Sequence, residues 1–293
     1  MRTLLLSAWL LGYLPVFAQS KSIKVSNYLY PNGTLWQRTA PHPYTTQYKE
    51  ASMQTHWYEN GQKRSEELII SFGNRRYLNC WTGNGTQIGK NGNGLFLYKG
   101  YEPKDDSTVY TLKDSLLQGP FTTFTPTATG YRKIATGFYR NNVMHGEVAY
   151  YSETGQVAYT NTYIDDFQKG LCKEFYPDGK LKAKGLQVED IKQGRWTIYN
   201  EQGILTQHET YVNGVVIHLT TYHSNGKIKE KGGYTTISTL GDIDMAEYMV
   251  TTGGRRRLYG TLSTVKHGVW LTYNKAGHVV KKETYHKGEL VKK

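Results

Sequence analysis

Glycine returns in the second half of this chain at an interval that leaves few folds open. Gly155, Gly179, Gly203 and Gly226 are spaced 24, 24 and 23 residues apart, and Gly277 follows after 51. Two residues past each stands an aliphatic side chain, Val157, Leu181, Leu205, Ile228 and Val279. Four before each is an aromatic one, Tyr151, Phe175, Tyr199, Tyr222 and Tyr273, and eight after come Tyr163, Gln187, Tyr211, Tyr234 and Tyr285. A second glycine opens most units, at Gly146, Gly170, Gly194 and Gly268, with Ile217 in that place once. Columns aligned over this length define an internal repeat of about 24 residues.

In the unit that starts at Gly194, Trp196 and Ile198 are two residues apart and Leu205 and Tyr211 six, so each pair projects from one face of an extended strand. β-branched and aromatic residues flank a polar turn that ends in glycine, the pattern of a hairpin whose loop needs positive φ at its last position. Tyr199 has the opposite parity to Trp196, so it either caps the strand end or follows a bulge. Burying Trp196, Leu205 and Tyr211 contributes about 1.5–3 kcal/mol each. Ordering the unit costs on the order of 1 kcal/mol per residue or more. One hairpin is therefore not stable alone, and the fold class expected is all-β: an elongated array of stacked antiparallel hairpins, each covering the apolar face of the next.

The motif Gly-x-Trp-x-x-Tyr, a glycine turn, an aliphatic residue and then Tyr-x-Asn-Gly resembles the variant MORN repeat (membrane occupation and recognition nexus), whose bacterial members are often labelled antitoxins of toxin–antitoxin systems. The resemblance runs from about Val109 to the C-terminus and is weaker before it. Cys172 and Leu219 stand where Trp196 and Trp270 do, and a segment of roughly one repeat length separates Tyr234 from Gly268. The resemblance implies a repeat scaffold and carries no catalytic residue with it.

Residues 1–18 have the pattern of a secretory signal peptide: Arg2, an apolar run from Leu4 to Leu14, and small residues before a cut between Ala18 and Gln19. The run is too short to span a bilayer, so a mature chain from Gln19, secreted to the periplasm or the exterior, is expected. Residues 19–293 read as one domain: degenerate repeats and a cap over 19–108, regular repeats over 109–234, an insertion over 235–262, and a final repeat with a basic tail over 263–293. Tyrosine supplies 25 of the 39 aromatic residues, which suits thin layers where a ring buries one edge and wets the other. Removing Arg2 takes the formal charge from +12 to +11, an excess that favours anionic partners such as acidic lipid or glycan without naming one.

No chemistry-bearing motif is complete. The run Gly83 to Asn91 has the wrong glycine spacing for a phosphate loop and lacks its Ser or Thr, so it reads as turns in a sheet. Cys80 and Cys172 are almost four repeats apart, on the order of 35 Å in a straight array, beyond disulfide reach; Cys172, in the Trp196 column, reads as a buried, unpaired thiol. His208, His218 and His223 lack a metal-ligand spacing, and His145 and His267, each before an opening glycine, read as turn residues. Asp242, Asp244 and Glu247 read as a solvated loop. No Ser/His/Asp or Cys/His arrangement is apparent. Lys180, Lys182 and Lys184 share a strand face, as do Lys227, Lys229 and Lys231, but Ile204, Thr206 and His208 occupy the intervening columns, which argues against a continuous nucleic-acid groove. Arg255, Arg256 and Arg257 are the best local anionic contact. The expectation is a secreted, non-catalytic scaffold, without cofactor or metal, that binds another protein. Immunity or antitoxin action, attachment to acidic lipid, and an enzyme with its site at 241–257 are the alternatives.

Overall fold

A computed structural model describes residues 24–42, 51–71, 74–99, 105–238 and 262–292, and every element in them is a strand. The chain forms two compact units, residues 1–87 and 88–293. In the first, β1 (Ser26–Leu29), β2 (Leu35–Pro41), β3 (Ser52–Trp57), β4 (Lys63–Ser71) and β5 (Asn74–Trp81) pair in chain order, all antiparallel. From the unit junction onward come β6 (Gln87–Lys90), β7 (Asn93–Lys99), β8 (Ser107–Lys113), β9 (Leu116–Thr127), β10 (Gly130–Arg140), β11 (Val143–Met144), β12 (Gly146–Tyr151), β13 (Val157–Ile164) and β14 (Phe167–Phe175). There follow β15 (Leu181–Val188), β16 (Ile191–Tyr199), β17 (Leu205–Val212), β18 (Val215–Tyr222), β19 (Ile228–Ser238), β20 (Leu262–Tyr273), β21 (Val279–His286) and β22 (Glu289–Leu290). From β6 to β10 and from β12 to β22 each pairs antiparallel with the next, and β10 pairs with both the two-residue β11 and β12, the hairpin architecture that the repeat implies.

Two kinds of reversal alternate. The first is the glycine loop. Gly179 (φ +84) donates its N–H to the Tyr176 carbonyl at 2.8 Å, and the Tyr176 N–H donates to the Lys180 carbonyl at 2.8 Å. The same pair of bonds closes the loops at Gly155, Gly203, Gly226 and Gly277, and equally those at Gly33, Gly61 and Gly85, so the segment read as degenerate carries the same turn. A register shift precedes the loop, between Ile198 and Tyr199 for example. Tyr199 therefore follows a bulge, which reconciles its parity with that of Trp196.

The second reversal is a two-residue turn with both residues at positive φ: Asp165-Asp166 (50°, 69°), Glu189-Asp190 (49°, 64°) and Asn213-Gly214 (50°, 79°) among them. This is the type I′ geometry, whose twist matches that of the flanking strands. The repeat pattern does not reveal the first two, because Asp and Glu occupy the positions where Asn213-Gly214 gives the usual signal. Both edges are stitched from unit to unit. On the glycine-loop edge the Tyr176 hydroxyl donates to the Tyr199 carbonyl at 2.9 Å; on the other, the Glu189 N–H donates to the Gln168 carbonyl at 2.9 Å and the Gly214 N–H to that of Lys192 at 3.0 Å.

The segment read as interrupting the array does not break it. β19 pairs directly with β20, from Glu230 opposite Thr272 to Ser238 opposite Leu262. On the loop edge His223 Nε2 meets the Tyr273 carbonyl at 2.9 Å, and Lys227 Nζ donates to that of Ala276 at 2.8 Å. His267 is consequently a strand residue opposite Gly233 rather than a turn residue. Residues 239–261 lie outside the described residues, as does the signal segment.

The tryptophan column is the interior. Trp196 is fully buried and Trp270 nearly so, with Cys172 and Val148 buried in the equivalent positions of earlier units. Each indole lies over a glycine of the preceding strand: a Cβ on Gly185 would come within 2.4 Å of the Trp196 ring, and one on Gly232 within 2.2 Å of the Trp270 ring. The indole N–H donates to a carbonyl of that strand, Leu186 for Trp196 and Gly233 for Trp270, both at 3.0 Å. A lysine closes the other face: Lys192 Nζ is 3.9 Å from the Trp196 ring centre and Lys266 Nζ 3.9 Å from that of Trp270.

Gly185→Ala should therefore destabilise the second unit by about 1–3 kcal/mol through displacement of the indole. Gly179→Ala, with open space at its Cβ, should cost about 1–2 kcal/mol through its backbone alone. Urea unfolding measures both, and near-ultraviolet circular dichroism should change only for Gly185→Ala.

Candidate interaction surfaces

Register separates the second unit into two chemically different faces. The pairs Cys172 with Gly185 and Trp196 with Glu209 place the indole column on one face. Beside it runs a row through Tyr150, Tyr159, Glu174, Ala183, Ile198, Gln207, Thr221 and Glu230. Polar groups here are largely matched. Tyr211 donates to Glu209 at 2.5 Å and Gln207 to the same carboxylate at 2.9 Å. Lys192 lies 3.5 Å from Glu174, and Lys266 3.0 Å from Glu230. Burial, with the Glu209 carboxylate acting second, raises the Tyr211 phenol well above its ordinary range.

The opposite face has no layer over it among the described residues. Leu171 pairs with Leu186 and Ile164 with Phe167, and all four are exposed, Phe167 at 63% and Leu186 at 46%. Ile191 and Val212, next to the two-residue turns, are exposed as well. A basic row crosses the same face through Lys173, Lys184, Thr197, His208, Thr220 and Lys231. Thr197, His208 and Thr220 break the stripe, so the interruption read from sequence stands with partly different residues. Lys180 is not in the row: it pairs with Asp178 at 2.8 Å and donates to the Glu201 carbonyl at 3.0 Å within the turn stack. His208 Nδ1 is buried without a hydrogen-bond partner, and burial lowers the pKa of its ring, as does the nearby Arg195 charge.

The other candidate residues disperse. His208 and His218 lie in different cross-strand rows, and His223 is held in the turn stack. Cys172 forms no disulfide, and burial pushes its thiol up to about 11, with Glu174 adding to the effect. The glycines Gly155, Gly179, Gly203, Gly226 and Gly277 are structural. Asp242, Asp244, Glu247 and Arg255–Arg257 fall outside the described residues.

Sequence reading misses a buried charged cluster in the first unit. The Glu67 carboxylate accepts hydrogen bonds from Ser65 Oγ at 2.9 Å and from Arg75 at 2.7 Å, and lies 3.3 Å from His56 Nδ1. Ser, His and acid are thus in contact, but not as a nucleophile relay. Ser65 Oγ approaches the same ring nitrogen, Nδ1, at 3.1 Å, whereas a relay needs hydroxyl and carboxylate on opposite nitrogens. Ser65 is also 1% exposed, out of a substrate's reach. The cluster is an internal ion pair, legible only once His56 is known to face Ser65 across β3 and β4.

Burial pushes the Glu67 pKa up, but the His56 hydrogen bond and the His56 and Arg75 charges outweigh it and the net shift is downward. A lowered folded pKa gives stability that is complete above the unfolded value, about 4.3, and is lost as pH falls through the lower folded value. The first unit should accordingly lose stability below about pH 4. Glu67→Gln should flatten that acid limb and cost about 2–4 kcal/mol at neutral pH, near the lower end for a broken buried pair because Arg75 keeps contact with water. Urea unfolding across pH 2–7 checks both.

Against known families, the MORN repeat variant model matches residues 144–165, 168–187, 217–235 and 266–287. The intervening unit with Trp196, unmatched there, has the same loop bonds as its neighbours. No curated protein matches the chain. Among solved structures, one described as the crystal structure of TcdB2-TccC3 aligns over 88% of this chain and 15% of its own at 9% identity, with a TM-score of 0.18. This chain therefore spans under a sixth of that one, and a likeness of that size carries no argument about fold or role.

Proposed function

We propose that this chain, a MORN-repeat protein with four matched variant repeats between residues 144 and 287, is a non-catalytic scaffold that recognises another protein. The observation that carries the reading is the uncovered face of the second unit, where Ile164, Phe167, Leu171 and Leu186 present paired apolar side chains to solvent. Exposed apolar surface of this kind marks an interaction site, and Lys184 beside it adds a positive charge suited to an acidic partner surface, whereas Lys173 is paired with Glu147 at 2.7 Å. Export through the N-terminal leader is part of the same reading, which puts the partner outside the cytoplasm. A partner that is toxic when freed would make the chain an immunity protein.

Immobilised protein should retain a specific partner from envelope and secreted fractions of its source cells, at salt high enough to screen surface charge. Leu171→Asp with Leu186→Asp should weaken retention at least tenfold, since each leucine buried in a complex is worth about 1.5–3 kcal/mol. Equal retention by the double variant would overturn this placement. Retention only on vesicles of acidic lipid, abolished by salt, would favour the lipid reading instead.

A further inference from the structure

Three internal groups fill one place on the indole face in two repeats of the second unit: an indole, a glycine beneath it and a lysine above it. Trp196 lies over Gly185, with Lys192 Nζ 3.9 Å from the ring centre and 3.5 Å from Glu174. Trp270, Gly232, Lys266 and Glu230 repeat the arrangement. One period earlier, 24 residues before Trp196, Gly185 and Lys192, the three positions hold Cys172, Asn161 and Gln168. The indole is replaced by a thiol, the ammonium by an amide, and the glycine by a polar side chain.

The outcome is a depression of about 370 Å³, walled by Tyr159, Asn161, Cys172, Glu174, Gln187 and Asp190, with Lys182 also on its wall. Asn161 is 7% exposed and its Oδ1 is buried with no donor. An acceptor left so is costly, about 1–3 kcal/mol, and is relieved by any guest that brings a donor. The Asp190 carboxylate makes no ion pair among the described residues, yet its charge reaches Tyr150, Tyr159 and Cys172 and helps to raise all three. Tyr159, stacked on Tyr150 with ring centres 4.6 Å apart, is 40% exposed. An aromatic ring, an orphaned acceptor and an unpaired carboxylate share one hollow; one period on, their places hold Ala183, Gly185 and Gly214, and Lys192 covers the indole that fills the space.

We propose that this depression is a binding site for a primary ammonium or guanidinium group, donating to Asn161 Oδ1 and Asp190 and lying against Tyr159. That the group belongs to a lysine or arginine of a partner protein rests on the scaffold reading; the site itself does not. Cations are held over aromatic rings beside carboxylates elsewhere in this molecule, and desolvation strengthens such contacts. Cys172, its thiol held neutral by burial, adds no charge of its own.

The test is titration of the full chain, isotope-labelled, with N-acetyl-argininamide and N-acetyl-lysinamide, using N-acetyl-norleucinamide and acetate as neutral and anionic comparisons. Saturable shifts of the Asn161 side-chain amide are expected for the cations only. Asp190→Asn, which keeps a residue tolerant of the left-handed turn, should weaken binding about tenfold or more. Asn161→Gly with Cys172→Trp rebuilds the indole-on-glycine packing, so binding should vanish while the melting temperature holds or rises. The proposal is overturned if the neutral probe or acetate binds as well as the cations, if no probe saturates, or if Asp190→Asn binds like the parent. Failure here leaves capture through the uncovered face intact, and failure of capture leaves the small-probe result standing, so the two readings fall separately.

Discussion

Left-handed backbone at the described reversals of the regular repeats is the constraint on which the rest depends. A glycine loop with its bulge at one edge and a type I′ pair at the other each impose a fixed count of residues, and a slip of one would send every side chain to the opposite face. Because neither count varies from Gly155 to Gly226, the indole column, the tyrosines and the lysine that covers each indole fall into line. The turns thus fix which side chains are interior and which are surface.

A single layer of strands has a difficulty that a sandwich does not: no second layer is available to cover its core. The indole face meets it with long polar side chains. Lys192 and Lys266 spread their aliphatic stems over the rings and keep their ammonium groups near Glu174 and Glu230. Tyr211 adds an edge-on ring 6.2 Å from Trp196 and ties its hydroxyl to Glu209. Burial of an indole to zero exposure under such a cover explains how a chain with only 38% hydrophobic residues forms a defined interior. Among the described residues the other face has no equivalent cover, and Leu171, Leu186 and Phe167 are exposed.

The parts legible in the sequence were those governed by local chemistry. Glycine loops, the tryptophan column and the thiol at Cys172 follow from periodicity, because φ and strand parity are properties of a short stretch. The Asp165-Asp166 and Glu189-Asp190 turns were not visible, since carboxylates adopt positive φ here where the neighbours on the sheet demand it, rather than by preference. Lys192 over Trp196 was equally hidden: the two are four residues apart on one strand, and only the close approach over Gly185 leaves the ring where the lysine can reach it. The Glu67 cluster and the Asn161 hollow both depend on residues brought opposite each other by register, which no single segment encodes.

The long strands β19 and β20 carry a consequence for how such a chain grows. They stay hydrogen-bonded beyond the point where neighbouring hairpins turn, and the glycine-loop edge continues from His223 to Tyr273 as though residues 239–261 were absent. The pairing of these two strands therefore keeps the alignment of the columns whatever sequence joins their ends. The two-residue-turn margin is thus a natural grafting point, where new sequence can be trialled while the ladder that carries it keeps its phase.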